Sequence, residues 1–213
     1  MAGFYRARLL IRNLTGDTLA IPKHCFFSLA ALFLFCGCGD IRFSQVIPEA
    51  KDFHPQSIAL LSLDMGDREE VREALDQIIT SELTDRKWFR SVLSAKTIHG
   101  LLRDNEALRK ATSDYLAKLQ AVNFPDAELS GKIGELAGID AFLLVNVDYW
   151  YYTKEADKNL AKVGLEMKMI NAKTGALTWK AMHHLAPDYV FIKPELNAVA
   201  VDVVKQMVGA MPH

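Results

Sequence analysis

Cysteine is the first residue type in this chain that could do chemistry, and all three cysteines, Cys25, Cys36 and Cys38, fall within the first forty residues. Arg6, Arg8, Arg12 and Lys23 precede an apolar run from Cys25 to Cys36, and small Gly37 separates that run from Cys38. A basic stretch, an apolar stretch, a small residue and then a cysteine form the order of a lipoprotein signal. In such a signal the cysteine thiol is linked as a thioether to diacylglycerol and becomes the first residue after cleavage. Phe35 and Cys36 stand where a smaller or β-branched pair is usual. The apolar run is 12 residues long, short of the roughly 20 needed to cross a bilayer. The expectation is a cleaved segment 1–37 with lipidation at Cys38. Gly39 after the cysteine lacks the aspartate that retains lipoproteins at the inner membrane, which favours an outer-membrane anchor facing the periplasm.

The other chemistry-bearing groups are weaker. No cysteine follows Cys38, so cysteine catalysis, an intramolecular disulfide and a thiolate metal site are all excluded from the exported part, as suits an oxidising compartment. His183 and His184 could begin a metal site, but adjacent strand residues point to opposite faces, and no metal is expected. Asp64, Asp67, Glu69 and Glu70 follow the first apolar run, where α/β sheets place ligands. Carboxylates in the first turn of a helix are equally expected from its dipole. No glycine-rich phosphate loop or nucleophile elbow is present, so neither catalytic residues nor a cofactor is expected. The cluster Tyr149 to Tyr152 reads as a strand packed under a helix rather than a sugar platform. Tyr189, Val190, Phe191 and Ile192 follow one another in a connection, and Tyr189 and Phe191 are the candidates for contact with a membrane or a neighbouring subunit.

Removing the first 37 residues leaves 21 Lys plus Arg against 25 Asp plus Glu over 176 residues, a net charge of −4. A mildly acidic domain is a poor match for nucleic acid or anionic lipid, both of which need a basic face. That length suits one globular domain. Residues 38–56 mix Pro48, Pro55 and charges without a period and read as a tether, with the domain running over 57–213.

The elements that must position these groups follow from periodicity. Ser57–Leu63 is a continuous apolar run, the mark of a strand covered on both faces. Val71, Leu75, Ile78, Ile79 and Leu83 recur at three and four, predicting a helix over 68–83. Trp88–Leu93 reads as a second strand. Helices follow between Lys96 and Gly138, broken at Asn105 and at 123–125, with Asp126 as N-cap and Gly138 as the terminating residue. Ala141–Asp148 is a buried strand continuing into the tyrosines, with a polar turn at 154–159. Val163, Leu165, Met167 and Met169 alternate with polar or small residues, predicting a strand with one wet face. Asn171–Gly175 carries hairpin chemistry, Ala176–His184 returns as the partner strand, and Pro194 opens a last helix with Leu196, Val199, Val203, Met207 and Val208 on one stripe.

This order is α/β, a mixed sheet flanked by helices. Ile58-Ala-Leu-Leu-Ser-Leu63, Glu82-Leu-Thr-Asp-Arg-Lys-Trp-Phe89, Leu136-Ala-Gly-Ile-Asp-Ala141 and the hairpin from Val163 to Trp179 with its turn Asn171-Ala-Lys-Thr-Gly175 resemble lipoproteins built on the TolB N-terminal-like fold. The resemblance covers nearly all of the chain after Cys38. It implies a non-enzymatic, lipid-anchored homo-oligomer in the cell envelope, since that family includes an exopolysaccharide export lipoprotein of the Pel type, an activator of peptidoglycan synthases and the curli secretion channel. The connection from Tyr152 to Ala161 is too short for the long hairpins of a channel. About 18 residues between Cys38 and the first strand reach about 60 Å when extended, which favours an export ring subunit close to its membrane over a long-tethered synthase activator. Its expected partners are therefore the membrane, copies of itself and an envelope export or cell-wall protein.

Overall fold

The apolar run at Ser57 does become the strand around which the sheet is built. A computed structural model describes residues 42–48, 52–64, 69–122 and 126–213, and the segment expected to be a signal, with Cys38, lies outside the described residues. In chain order the elements are β1 (Phe43–Val46), β2 (Ser57–Asp64), α1 (Glu69–Arg86), β3 (Ser91–Leu93), α2 (Ala95–Asp104), α3 (Glu106–Val122), α4 (Ala127–Ala137), β4 (Ala141–Glu155), β5 (Lys158–Asn171), β6 (Leu177–Leu185), β7 (Asp188–Tyr189) and α5 (Leu196–Gly209). All the described residues belong to one compact unit from Asp40 to His213.

The strands form one sheet in the order β1-β6-β5-β4-β2-β3, with short β7 added to β5. β2 pairs in parallel with β3 and β4, while β4, β5, β6 and β1 run antiparallel to one another in turn. Helices cover both faces. On one, α1 (Leu75, Ile79, Leu83) and α5 (Val203, Val204, Met207) pack over Ile58, Leu143, Leu165, Met167 and Trp179. On the other, Ile98 of α2, Leu108 and Tyr115 of α3 and Ile133 of α4 cover Ala59, Leu61, Phe142 and Ile170. Two-sided cover explains why β2 has no polar alternation.

The caps form as their residue types dictate. Asp126 accepts the Leu129 N–H at 2.9 Å to start α4, and Gly138 ends it in the left-handed region at φ 67°. Three boundaries differ from the sequence expectation. β3 is only Ser91–Leu93, because Trp88 leaves the sheet to stack on His213 with ring centroids 3.9 Å apart. The last helix begins at Leu196, two residues beyond Pro194. The turn at 154–159 tightens to Ala156-Asp157, whose φ angles of 47° and 65° suit the twist of a two-residue hairpin.

The main correction concerns the tether. Residues 38–56 were expected to be without regular structure, yet Phe43–Val46 is the edge strand β1, paired with β6 from Phe43↔Met182 to Val46↔Trp179. A side-chain bond and a backbone bond tie it down. Trp179 Nε1 donates to Ser44 Oγ at 3.0 Å, and the Ile47 N–H donates to the Thr178 carbonyl at 3.0 Å.

Candidate functional site

The register places three features at one end of the sheet. β5 and β6 pair up to Val163↔Leu185, and β7 then joins β5 further out, at Asn159↔Tyr189. Because β1 is antiparallel to β6 and begins opposite Met182, the chain enters β1 from that same end. The β4–β5 turn, the connection from β6 to α5 and the Arg42 start of β1 therefore lie toward one end of the sheet.

The connection is clamped at its base and bare at its crest. Tyr152 Oη donates to the Pro194 carbonyl at 2.8 Å, the Tyr152 and Tyr189 rings meet edge to face at 6.2 Å, and Lys193 Nζ lies 3.4 Å from the Tyr152 ring centre. Lys158 pairs with Asp188 at 3.3 Å, and the Ala161 N–H donates to the Pro187 carbonyl. Between these fixings Val190, Phe191 and Ile192 are 78%, 96% and 86% exposed. Of the two residues singled out from sequence, Phe191 is on this crest. Tyr189 is half-buried and supports it. Sequence reasoning missed Tyr152, Lys193 and Pro194 as the supports, since their signal is contact across 42 residues rather than a local pattern. Cys38 lies outside the described residues.

The tyrosine cluster divides between two faces. A bulge between Val147 and Tyr149 shifts the alternation, so Trp150 and Tyr152 join the core under α1 and α5. Tyr149 and Tyr151 are turned to the opposite, open side. There Tyr149 lies against Gly164, meets His184 edge to face at 5.5 Å, and has Lys162 Nζ 4.7 Å from its ring centre. Lys180 and Lys168 flank Glu166 on the same side at 2.5 and 3.4 Å. Burial opposes ionisation of Glu166, but these two ammonium groups hold its carboxyl below the usual carboxylate range.

His183 and His184 point to opposite faces, as their adjacency dictates, and His183 is buried beneath α5. Among the described residues no three His, Cys, Asp or Glu side chains converge as a metal site would require. The acidic group at 64–70 has its side chains outside the described residues. Two carboxylates not foreseen as important are committed to backbone amides. Asp76, on α1, accepts from the Ala95 and Lys96 N–H groups at 2.7 and 3.0 Å and so caps α2. Asp140 accepts from the Gln56 and Ser57 N–H groups and the Ser57 hydroxyl, each at 2.9 Å, joining the starts of β2 and β4. A groove of about 620 Å³ beside Asp140, between Phe53–Gln56 and α4, lies at the end of the sheet away from Phe191. Among the described residues no helix is long and apolar enough to cross a membrane.

No family model and no curated protein sequence matches the chain. Among solved structures, the PelC dodecamer from Paraburkholderia phytofirmans superposes with a TM-score of 0.50 at 13% identity, over 80% of this chain and 95% of that one. Lipoprotein GNA1162 from Neisseria meningitidis gives 0.45 at 13% identity, over 73% and 98%, and the LpoB C-terminal domain from Escherichia coli gives 0.34 at 13%, over 66% and 90%. At such identities the PelC superposition speaks for the architecture alone. The chain has a PelC-type α/β fold, a mixed sheet flanked by helices.

Proposed function

We propose that this protein is a non-enzymatic lipoprotein of the outer membrane, held by a lipid on Cys38 and facing the periplasm. There it acts as a homo-oligomeric export component, a polysaccharide-export ring subunit. The observation that carries the reading is the shared end of the sheet, toward which the exposed crest Val190–Phe191–Ile192 and the Arg42 start of β1 both lie. Four residue steps separate Cys38 from Arg42, so covalent geometry limits the anchor to about 14 Å from the start of the sheet. A bilayer reached by the lipid is then within reach of the crest. Lys158 and Lys193 at the base of the crest suit phospholipid headgroups, and the apolar crest suits the acyl boundary below them. The oligomeric part of the reading is drawn from PelC, whose structure is a dodecamer. The non-enzymatic part of the reading rests on Asp76, both of whose oxygens accept from backbone amides, and on Asp140 Oδ2, which binds the start of β2. A synthase activator that must reach far across the periplasm fits less well, since β1 shortens the link to the anchor.

Replacing Phe191 and Ile192 together by Ser tests the contact, measured in a Cys38→Ala background so that the lipid does not mask it. Burying one such side chain is worth about 1.5–3 kcal/mol, so binding to phosphatidylethanolamine–phosphatidylglycerol vesicles should fall by roughly tenfold or more. Palmitate-analogue labelling of wild type but not of Cys38→Ala tests the anchor separately. Unchanged vesicle binding together with unchanged oligomer size would refute the crest as a contact.

A further inference from the structure

β1 is an edge strand of the sheet and the nearest described element to Cys38. It has four residues, three of them exposed, and pairs only with β6. Its anchor-proximal end is closed in an unusual way. Arg42 and His183 are the next cross-strand neighbours beyond Phe43↔Met182, and there the ladder ends with the Arg42 N–H donating to His183 Nδ1 at 3.3 Å. The imidazole takes the place of a carbonyl.

His183 is 5% exposed, and its other nitrogen, Nε2, is buried near Gln206 Oε1 of α5 without a bond of standard geometry. Nδ1 can accept only from the neutral ring, which puts the proton on Nε2. Protonation would turn Nδ1 into a donor facing another donor, with a positive charge held under α5. The charged or titratable groups that act on the ring are Arg42 from β1 and His184 from its own strand, while α5 contributes the neutral amide of Gln206. Among the described residues none supplies a carboxylate to stabilise an imidazolium.

We infer that β1 is a releasable clasp on the membrane tether, closed by neutral His183 and opened when that imidazole is protonated. With β1 docked, about 14 Å of chain separates the anchor from the sheet. With it released, and with Phe53 still packed on the core, the 15 residue steps from Cys38 span about 50 Å. The same domain then works in two ranges, one against its membrane and one further into the periplasm, and release also bares the β6 edge for another strand. The reach depends on the anchor proposed above, whereas the clasp does not.

The sign of the pH dependence follows from the docked state. Burial lowers the His183 pKa, a tendency opposed by Gln206 and reinforced by Arg42. Release of β1 opens one side of the ring to water and moves its pKa back toward the ordinary value of about 6.5. Docking is therefore fully favoured above that value and weakens as pH falls below it, because only the released state takes up the proton.

Hydrogen exchange of the full chain in detergent tests this on the Arg42–Ile47 amides, corrected for the intrinsic chemical rate. Exchange in wild type should be severalfold faster near pH 5 than near pH 8, because only the released state takes up the proton. In His183→Gln, whose amide oxygen can still accept from Arg42, the corrected rate should not change with pH. A pH-independent rate in wild type, or the same pH dependence in both proteins, would overturn the clasp. Should His183→Gln fail to fold, NMR titration of wild type decides instead. The Arg42 amide must move with the midpoint of the His183 ring, and independent midpoints would overturn it. Cys38→Ala should leave all of these results unchanged, so a failed anchor and a failed clasp give different outcomes.

Discussion

Trp179 shows how one residue can serve core and edge together. Its ring is wholly buried with Leu165, Met167 and Ala181 beneath α5, while its indole N–H reaches Ser44 on β1. Truncation to Ala should cost about 3–5 kcal/mol and lower the melting temperature sharply. Trp179→Phe should retain more of that stability while releasing Ser44, so faster exchange at β1 with a largely preserved core is its expected signature. Equal melting temperatures for wild type and Trp179→Ala would mean that the ring contributes no packing. Tyr115 is the converse case. Burial, with Asp126 adding to it, pushes its phenol up to about 12, so the group stays protonated and serves as an apolar ring set edge to face on Phe142 at 5.4 Å.

At the scale of elements, the hairpin β4–β5 depends on a glycine that the sequence presents as merely one small residue in an alternating strand. A Cβ on Gly164 would lie 2.5 Å from Tyr149 Cδ2 and 3.0 Å from His184 Cβ. The Tyr149 ring fits only because position 164 has no side chain. Gly164→Ala should therefore displace the Tyr149 ring from its place beside Lys162 and cost about 1–3 kcal/mol, the usual penalty of overpacking. Thermal unfolding read beside Tyr149→Ala checks the cause, since removing the ring should relieve most of the penalty and leave only the 3.0 Å approach to His184 Cβ. The alternation of Val163, Leu165 and Met167 was legible because a period of two survives without knowledge of its partners. The bulge after Val147 was not, because it is a property of two strands together. β1 was hidden for a related reason. Phe-Ser-Gln-Val is too polar and too short to declare itself, and its pairing with β6 spans more than a hundred residues of chain. The crest had the opposite problem, since Val190 and Ile192 have the composition of core and only the fixings at Tyr152 and Pro194 turn them outward.

For the whole molecule, the two helical layers leave the sheet uneven. α1 and α5 cover one face, while α2, α3 and α4 cover the part of the other containing Ala59, Phe142 and Ile170. The remainder, with Tyr151, Met182 and Phe43 exposed, is available to a second copy of the chain. Oligomers of a single chain close by repeating one such contact around an axis. Light scattering on the full chain in detergent should therefore give a protein mass that is a whole-number multiple of the protomer. A strict monomer across the accessible concentration range would remove the ring from the proposed function while leaving the anchor untouched. Fold class was legible from element order because apolar runs and stripes must be covered somewhere. Which copy or surface covers the rest is encoded in no local pattern of this sequence.

The bond from Trp179 to Ser44 has an optical consequence. An indole that is both dry and hydrogen-bonded emits differently from one that meets water. Of the three tryptophans in the chain, Trp179 alone reports on β1, while Trp88 is stacked on His213 and Trp150 lies beneath the helices. The protein therefore carries an intrinsic fluorophore bonded to β1. A red shift of emission on acidification, lost in Trp179→Phe, would allow the docking of β1 to be followed without attaching a label.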